Sequence, residues 1–199
     1  MINNTKLDII LGPMFSGKTT KLLEIMEVFD KEGVKYIAIK PEIDNRYTDT
    51  NNNYIVSHNL KKKQCSTVSN LKDIFEEIKI NQDTDLIQYI LIDEGQFFNN
   101  LYNFCILCLE KLSINVIVTG LDGDYKRKPM GEILDLLPIA NKISKLSSKC
   151  NICQEEAIFT HRTVANTDQV LIGGSDEYIP LCRKHYVEKN TMTETTFDS

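Results

Sequence analysis

The stretch LDIILGPMFSGKTT, Leu7 to Thr20, decides the fold. Leu7–Leu11 reads as a buried strand. After it come Gly12, four residues, then Gly17, Lys18 and Thr19. This is the spacing of a phosphate-binding loop, in which glycines let backbone N–H groups turn inward around oxyanions. Further on, Lys21–Lys31 places Leu22, Leu23, Ile25, Met26 and Phe29 at helical intervals. The positive end of that helix would face the phosphates. In this reading Gly12, Pro13, Met14, Phe15, Ser16 and Gly17 form the cradle. Lys18 reaches the outer phosphates, and the Thr19 hydroxyl ligates Mg2+.

Working outward, YIAIK (Tyr36–Lys40), YILID (Tyr89–Asp93) and NVIVTG (Asn115–Gly120) read as further strands. Leu71–Ile80 and Leu101–Leu112 have helical spacing, and Glu132–Ala140 suits a short helix. Strands alternating with helices predict an α/β protein with a parallel sheet covered on both faces. Ligands in such sheets bind at the carboxyl ends of the strands. The glycine loop falls there, as do Asp93 and Glu94. Asp93 would hold Mg2+. Glu94 could take the proton from an attacking group. If that group is water the protein is an NTPase, and if it is a substrate hydroxyl the protein is a kinase. Spacing leaves both open. The polar stretch Asp44–Asn59 has little core content and reads as a mobile loop, with His58 exposed. The Lys61-Lys62-Lys63 run reads as a solvated face.

A length of 199 residues suits one domain, or one with a small appendage. The apolar share of 42% can build a core. A net charge of −5 argues against a nucleic-acid polymer as partner. No apolar run approaches the roughly 18 residues needed to span a membrane. The polar start does not resemble a signal peptide, so a cytoplasmic protein is expected.

The strand–helix alternation stops near Lys149. The chain's six cysteines suggest metal binding or buried thiols before disulfides. Cys150-Asn-Ile-Cys153 and Cys182-Arg-Lys-His185 are two knuckles matching a structural Zn2+ site of the Cys3His type. The chain between them must loop out and return, making a flap anchored by metal. His161, inside that flap, is a rival ligand. Cys105 and Cys108 sit in an apolar helical stretch and read as core. Cys65 reads as an ordinary free thiol. The expected divisions are 1–147 for nucleotide binding, 148–190 for the zinc-bearing part and 191–199 for a disordered tail, with the polar character starting at Glu188.

The motifs GPMFSGKTT, IDEGQFF, GLDGDYKRKP, CNIC, IGGSDEY and CRKHY, in this order, resemble the cytosolic-type (type II) thymidine kinases. The resemblance runs from Leu7 to Tyr186. It implies a RecA-like P-loop core, and a small zinc domain whose lasso loop closes over a nucleoside. It implies transfer of the γ-phosphate of ATP to the 5′-hydroxyl of thymidine, with Glu94 as general base. Deoxyuridine acceptance, feedback inhibition by dTTP and a homotetramer are further expectations of the family. By the same resemblance Asp44, Arg46 and Gln96 belong with Asp93 to the phosphate region. Arg127 and Lys128 add positive charge near it. Met14, Phe97, Leu121, Tyr125 and Tyr178 enclose thymine, and Val170, Leu171, Ile172 and Gly173 contribute the lasso backbone. Gly173 and Gly174 supply its flexibility. The sequence departs from the family pattern at Asp124, Lys126, Met130 and His185, none of them a catalytic position.

Overall fold

A computed structural model describes residues 4–44, 53–57 and 59–190. Arg46, His58 and the tail 191–199 lie outside the described residues. Six strands form one sheet: β1 (Leu7–Leu11), β2 (Tyr36–Pro41), β5 (Ser66–Val68), β6 (Tyr89–Ile92), β7 (Asn115–Gly120) and β8 (Lys142–Lys145). Their order is β5-β2-β6-β7-β1-β8, and every pairing is parallel.

Alternation along β1 explains the layering. Leu7, Ile9 and Leu11 join a core packed by α2 (Leu71–Asp85) and α3 (Leu101–Glu110), whereas Ile10 joins Leu22, Leu23 and Met26 of α1 (Lys18–Glu32) on the opposite face. Successive side chains of a strand point to opposite faces, so a sheet covered on both sides needs near-continuous apolar strands. YILI and NVIVTG supply them. Cys105 and Cys108 lie fully buried in the α2/α3 core.

The first helix starts at Lys18, four residues before its first apolar residue, Leu22, because Gly17 caps it in the left-handed conformation (φ 84°). The expectation of a mobile, core-poor loop over Asp44–Asn59 is corrected where the chain is described. There β3 (Tyr54–Val56) pairs antiparallel with β4 (Lys62–Gln64), and Ile55 is fully buried in the α1-side core. Lys63 of this hairpin pairs with Asp30, and Lys61 reaches Glu27 at 4.0 Å. Cys65 is likewise buried in that core. Residues 133–139 form a 3-10 helix containing Pro138.

Past the sheet, β9 (Ser148–Lys149) pairs with β10 (Glu156–Ala157), and β11 (Phe159–Arg162) pairs with β12 (Tyr178–Leu181), both antiparallel. The helix α4 (Arg183–Lys189) follows, so the polar stretch that starts at Glu188 begins inside a helix. This carboxy-terminal module has a small core of Cys150, Ala157, Leu181 and Tyr186.

Candidate active site

The glycine-rich loop leaves β1 and feeds α1 at the carboxyl edge of the sheet. Gly12 has φ +151°, and a Cβ there would lie 2.5 Å from the Leu146 carbonyl oxygen. Phe15 also takes a positive φ, 64°. The loop therefore turns in steps that most side chains resist. Lys18 is buried, and its Nζ donates to the Pro13 carbonyl at 2.7 Å.

Asp93 and Glu94 follow the end of β6. The Thr19 hydroxyl donates to Asp93 Oδ1 at 3.4 Å, and the Thr119 hydroxyl donates to the same oxygen at 2.5 Å. A hydroxyl and a carboxylate set this way offer hard oxygen ligands suited to Mg2+, which keeps several of its waters. Glu94 sits at φ 51°, a left-handed kink between β6 and the 3-10 turn Gly95–Phe97. Its carboxylate is buried but borders the cavity. Gln96 Nε2 donates to Glu94 Oε2 at 2.6 Å, while Gln96 Oε1 accepts from the Leu121 N–H at 3.0 Å. Both ends of the Gln96 amide thus aim Glu94 and brace the loop after β7. A carboxylate held at a cavity wall can accept a proton from a bound hydroxyl.

That cavity has a volume of about 620 Å³, within the usual range for a small-molecule site. It joins Met14, Phe15 and Gly17–Thr19 to Glu94 and Phe97, and these to Leu121, Tyr125, Tyr178 and Leu171–Gly173. Met130 also lines it. Val170 is exposed and outside the lining. Asp44 is buried, its main-chain oxygen accepting from Lys40 Nζ at 3.3 Å, and it too lies outside the lining. Arg127 turns its guanidinium over the rings of Tyr186 (4.9 Å) and Phe159 (5.8 Å). These contacts tie the loop after β7 to the carboxy-terminal module.

Two hydrogen bonds clasp that module to the glycine-rich loop. The Met14 N–H donates to Thr160 Oγ1 at 2.9 Å, and the Ser148 hydroxyl donates to the Phe15 carbonyl at 3.1 Å.

Cys150, Cys153, Cys182 and His185 place one donor atom each within 4.8 Å of one another. A tetrahedral Zn2+ with ordinary bond lengths holds sulfurs about 3.8 Å apart and a sulfur and a nitrogen about 3.5 Å apart. The observed separations are 3.8 Å for Cys153 and Cys182, and 3.5 and 3.3 Å from His185 Nδ1 to Cys150 and Cys182. The other ring nitrogen of His185 faces Glu188 at 3.9 Å, an orienting arrangement common around metal ligands. Burial opposes the Cys150 thiolate, but backbone amides of Cys182, Cys153 and Ile152, with His185, outweigh it and bring the thiol down to about 6. A thiolate at neutral pH is the form a metal binds. Burial pushes the thiols of Cys65 and Cys105 up to about 12, as expected of inert core cysteines. His161 instead hydrogen-bonds Asn190 at 3.1 Å and packs edge-on against Tyr186, away from the cluster.

Two further residues belong here, Arg162, which the sequence reading missed, and Asp124, which it named only as a departure from the family pattern. Arg162 is buried, borders the cavity and stacks over Tyr125, with 3.8 Å between guanidinium carbon and ring centroid. Asp124 is buried, accepting from the Lys126 and Lys128 N–H groups at 2.8 Å each and from Gln169 Nε2 at 3.0 Å. In β11, FTHR, the two buried residues are Thr160 and Arg162, which point inward together.

A parallel sheet with a glycine-rich loop and an acid pair at its carboxyl edge, beside a Cys/His module, defines an α/β protein with a small-molecule site at that edge. Residues 5–186 match the family model described as Thymidine kinase. A thymidine kinase of Oryza sativa subsp. japonica is 38% identical over 96% of this chain and 69% of its own length. Thymidine kinase a of Arabidopsis thaliana is 37% identical over 94% of this chain and 77% of its own. The thymidine kinase of Variola virus is 37% identical over 94% and 99%. The chain belongs to the thymidine kinase family. Among the described residues no helix is long and apolar enough to cross a membrane.

Proposed function

We propose that this protein phosphorylates thymidine on its 5′-hydroxyl with ATP as donor, giving dTMP and ADP in nucleotide salvage. The observation that carries the reading is one cavity bordered by the glycine-rich loop, the Glu94 carboxylate and an aromatic wall. Family membership supplies the substrate class.

Residues 12–19 act as a P-loop of RecA-like type. Lys18 leaves the Pro13 carbonyl to meet the outer phosphates of ATP, with Asp44, Arg46 and Gln96 belonging to the phosphate region by resemblance. Thr19 and Asp93 hold Mg2+, which neutralises phosphate charge when bound. The thymine ring lies among Met14, Phe97, Leu121, Tyr125 and Tyr178, and the Val170–Gly173 backbone hydrogen-bonds its edge. Aromatic faces suit a planar base and an apolar wall suits its methyl group. Glu94, aimed by Gln96, takes the proton of the 5′-hydroxyl as that oxygen forms a bond to the γ-phosphorus. The bond from γ-phosphorus to the bridging oxygen breaks, and ADP leaves with that electron pair. Most of the rate comes from alignment and charge neutralisation.

Cys150, Cys153, Cys182 and His185 hold a structural Zn2+ that ties together the two ends of the 148–190 domain and so anchors the flap between them. The thiolate-compatible donor set supports this, and it suits a reducing, cytoplasmic setting. The same reading includes deoxyuridine as an alternative acceptor, dTTP as feedback inhibitor and a homotetramer, all supported by family resemblance.

The test is ADP release from ATP and Mg2+ with and without thymidine, with the nucleotide product identified. Thymidine-dependent ADP with matching dTMP is expected. ADP at the same rate without thymidine, and no dTMP, would make the protein an ATPase.

A further inference from the structure

Residues 163–177, between β11 and β12, contain neither helix nor strand. Such a segment lacks a ladder for its carbonyls, which must find partners elsewhere. Arg162 supplies them. Nη1 donates to the main-chain oxygens of Asn166 (3.0 Å) and Asp168 (2.5 Å) and to Asn166 Oδ1 (3.2 Å). Nη2 donates to the Gln169 carbonyl (3.2 Å) and the Tyr178 hydroxyl (2.7 Å). That hydroxyl donates in turn to the Leu171 carbonyl at 2.7 Å. The chain then runs directly into the cavity wall at Leu171–Gly173.

The guanidinium is held hard. Arg162 is 6% exposed, faces Tyr178 across the β11–β12 pairing and stacks on Tyr125. Its partners are carbonyl oxygens and a phenol. Among the described residues no carboxylate pairs with it, and Nε is buried without a hydrogen-bond partner. Burying a cation against dipoles alone is unfavourable compared with an apolar side chain of the same size. What the arrangement provides is geometry. A planar fork stacked on a ring reaches several acceptors in fixed directions, which a lysine cannot do.

We propose that Arg162 is a positioning residue that shapes the nucleoside cover before substrate arrives, tying the carbonyls of residues 166–171 together so that Leu171–Gly173 stand ready at the cavity. The consequence for turnover rests on the kinase reading above; the ordering of the loop does not. Pre-ordering removes an entropic penalty from binding, so it acts on nucleoside affinity and leaves the phosphoryl step alone.

The test compares the unliganded wild type with Arg162→Lys and Tyr178→Phe by hydrogen exchange and steady-state kinetics. Arg162→Lys is expected to speed exchange across residues 163–173 while β7 stays protected. It should raise thymidine KM about tenfold or more, with kcat and ATP KM within about threefold. Tyr178→Phe removes the hydroxyl that accepts from Arg162 Nη2 and donates to the Leu171 carbonyl, leaves the guanidinium's bonds to residues 166–169, and should raise thymidine KM about threefold. Unchanged exchange in 163–173, or equal acceleration in β7, overturns the proposal, the second because it marks a general loss of stability. Faster exchange confined to 163–173 with unchanged thymidine KM overturns the link to substrate. If wild type shows no thymidine-dependent turnover, the kinase reading fails, and exchange still decides whether Arg162 orders the loop.

Discussion

Around the parallel sheet, the α2/α3 side alone buries 22 apolar residues among those described, and α1 covers the opposite face with a second cluster. The carboxy-terminal module buries four, one of them the metal-ligand candidate Cys150. Chains of about 40 residues rarely hold a fold by apolar burial alone and commonly need a metal or disulfides. The sheet side orders itself by burial. The module depends on its Cys/His cluster, on two clasps to residues Met14 and Phe15, and on polar ties such as those of Arg162. The half that carries the acid pair should therefore tolerate insults that the covering half cannot.

Glu94→Gln makes the sharpest cut in that comparison. It should lower kcat at least about 100-fold, the loss expected for a general base, while thermal unfolding and thymidine binding stay near wild type. Equal kcat would remove Glu94 as the base. Cys153→Ser attacks the other half. It should drop zinc content below one per chain, raise thymidine KM about tenfold, and leave the main unfolding transition of the sheet close to its original temperature. Stoichiometric zinc with unchanged KM would take Cys153 out of the ligand set. A fall of both halves in a single transition would erase the distinction between them.

Lys63→Ala should matter least. The pair with Asp30 is partly exposed, the side chains being 28% and 46% accessible, so its loss should lower stability by at most about 0.5 kcal/mol. Lys63, foremost, holds the Asp30 carboxyl below its ordinary value, against a smaller opposing effect of burial. A depressed carboxyl stabilises the fold above its unfolded pKa, and that contribution fades as pH falls through the lowered folded value. The difference between wild type and Lys63→Ala should therefore be present at neutral pH and vanish in acid, as measured by urea midpoints.

How much of this was legible in the sequence follows the same division. β1, β2, β6 and β7 are apolar runs buried on both faces, and they stand out from any polar neighbour. β5 and β8 do not. STV has three residues, and KISK is an edge strand with charged ends, so neither has an apolar period to detect. The β3–β4 hairpin is hidden because a single residue, Ile55, anchors it. Knuckle spacing revealed all four members of the Cys/His cluster. Arg162 went unread, and Asp124 was read only as a departure from the family pattern, for a different reason. Their partners are mainly backbone groups and side chains of irregular segments, and such bonds leave no trace in residue type.

Gly12 bears on how this chain tolerates variation. Its missing side chain makes room for the Leu146 carbonyl and the Ser16 hydroxyl, atoms of the protein itself. An alanine there would first dislodge the chain after β8 and the loop's own hydroxyl, with no nucleotide present. A null allele at this codon would look like lost phosphate binding in a survey of variants, yet its origin would be a crowded fold. Glycine is held at this position by the architecture of the empty protein, before any ligand is there to select it.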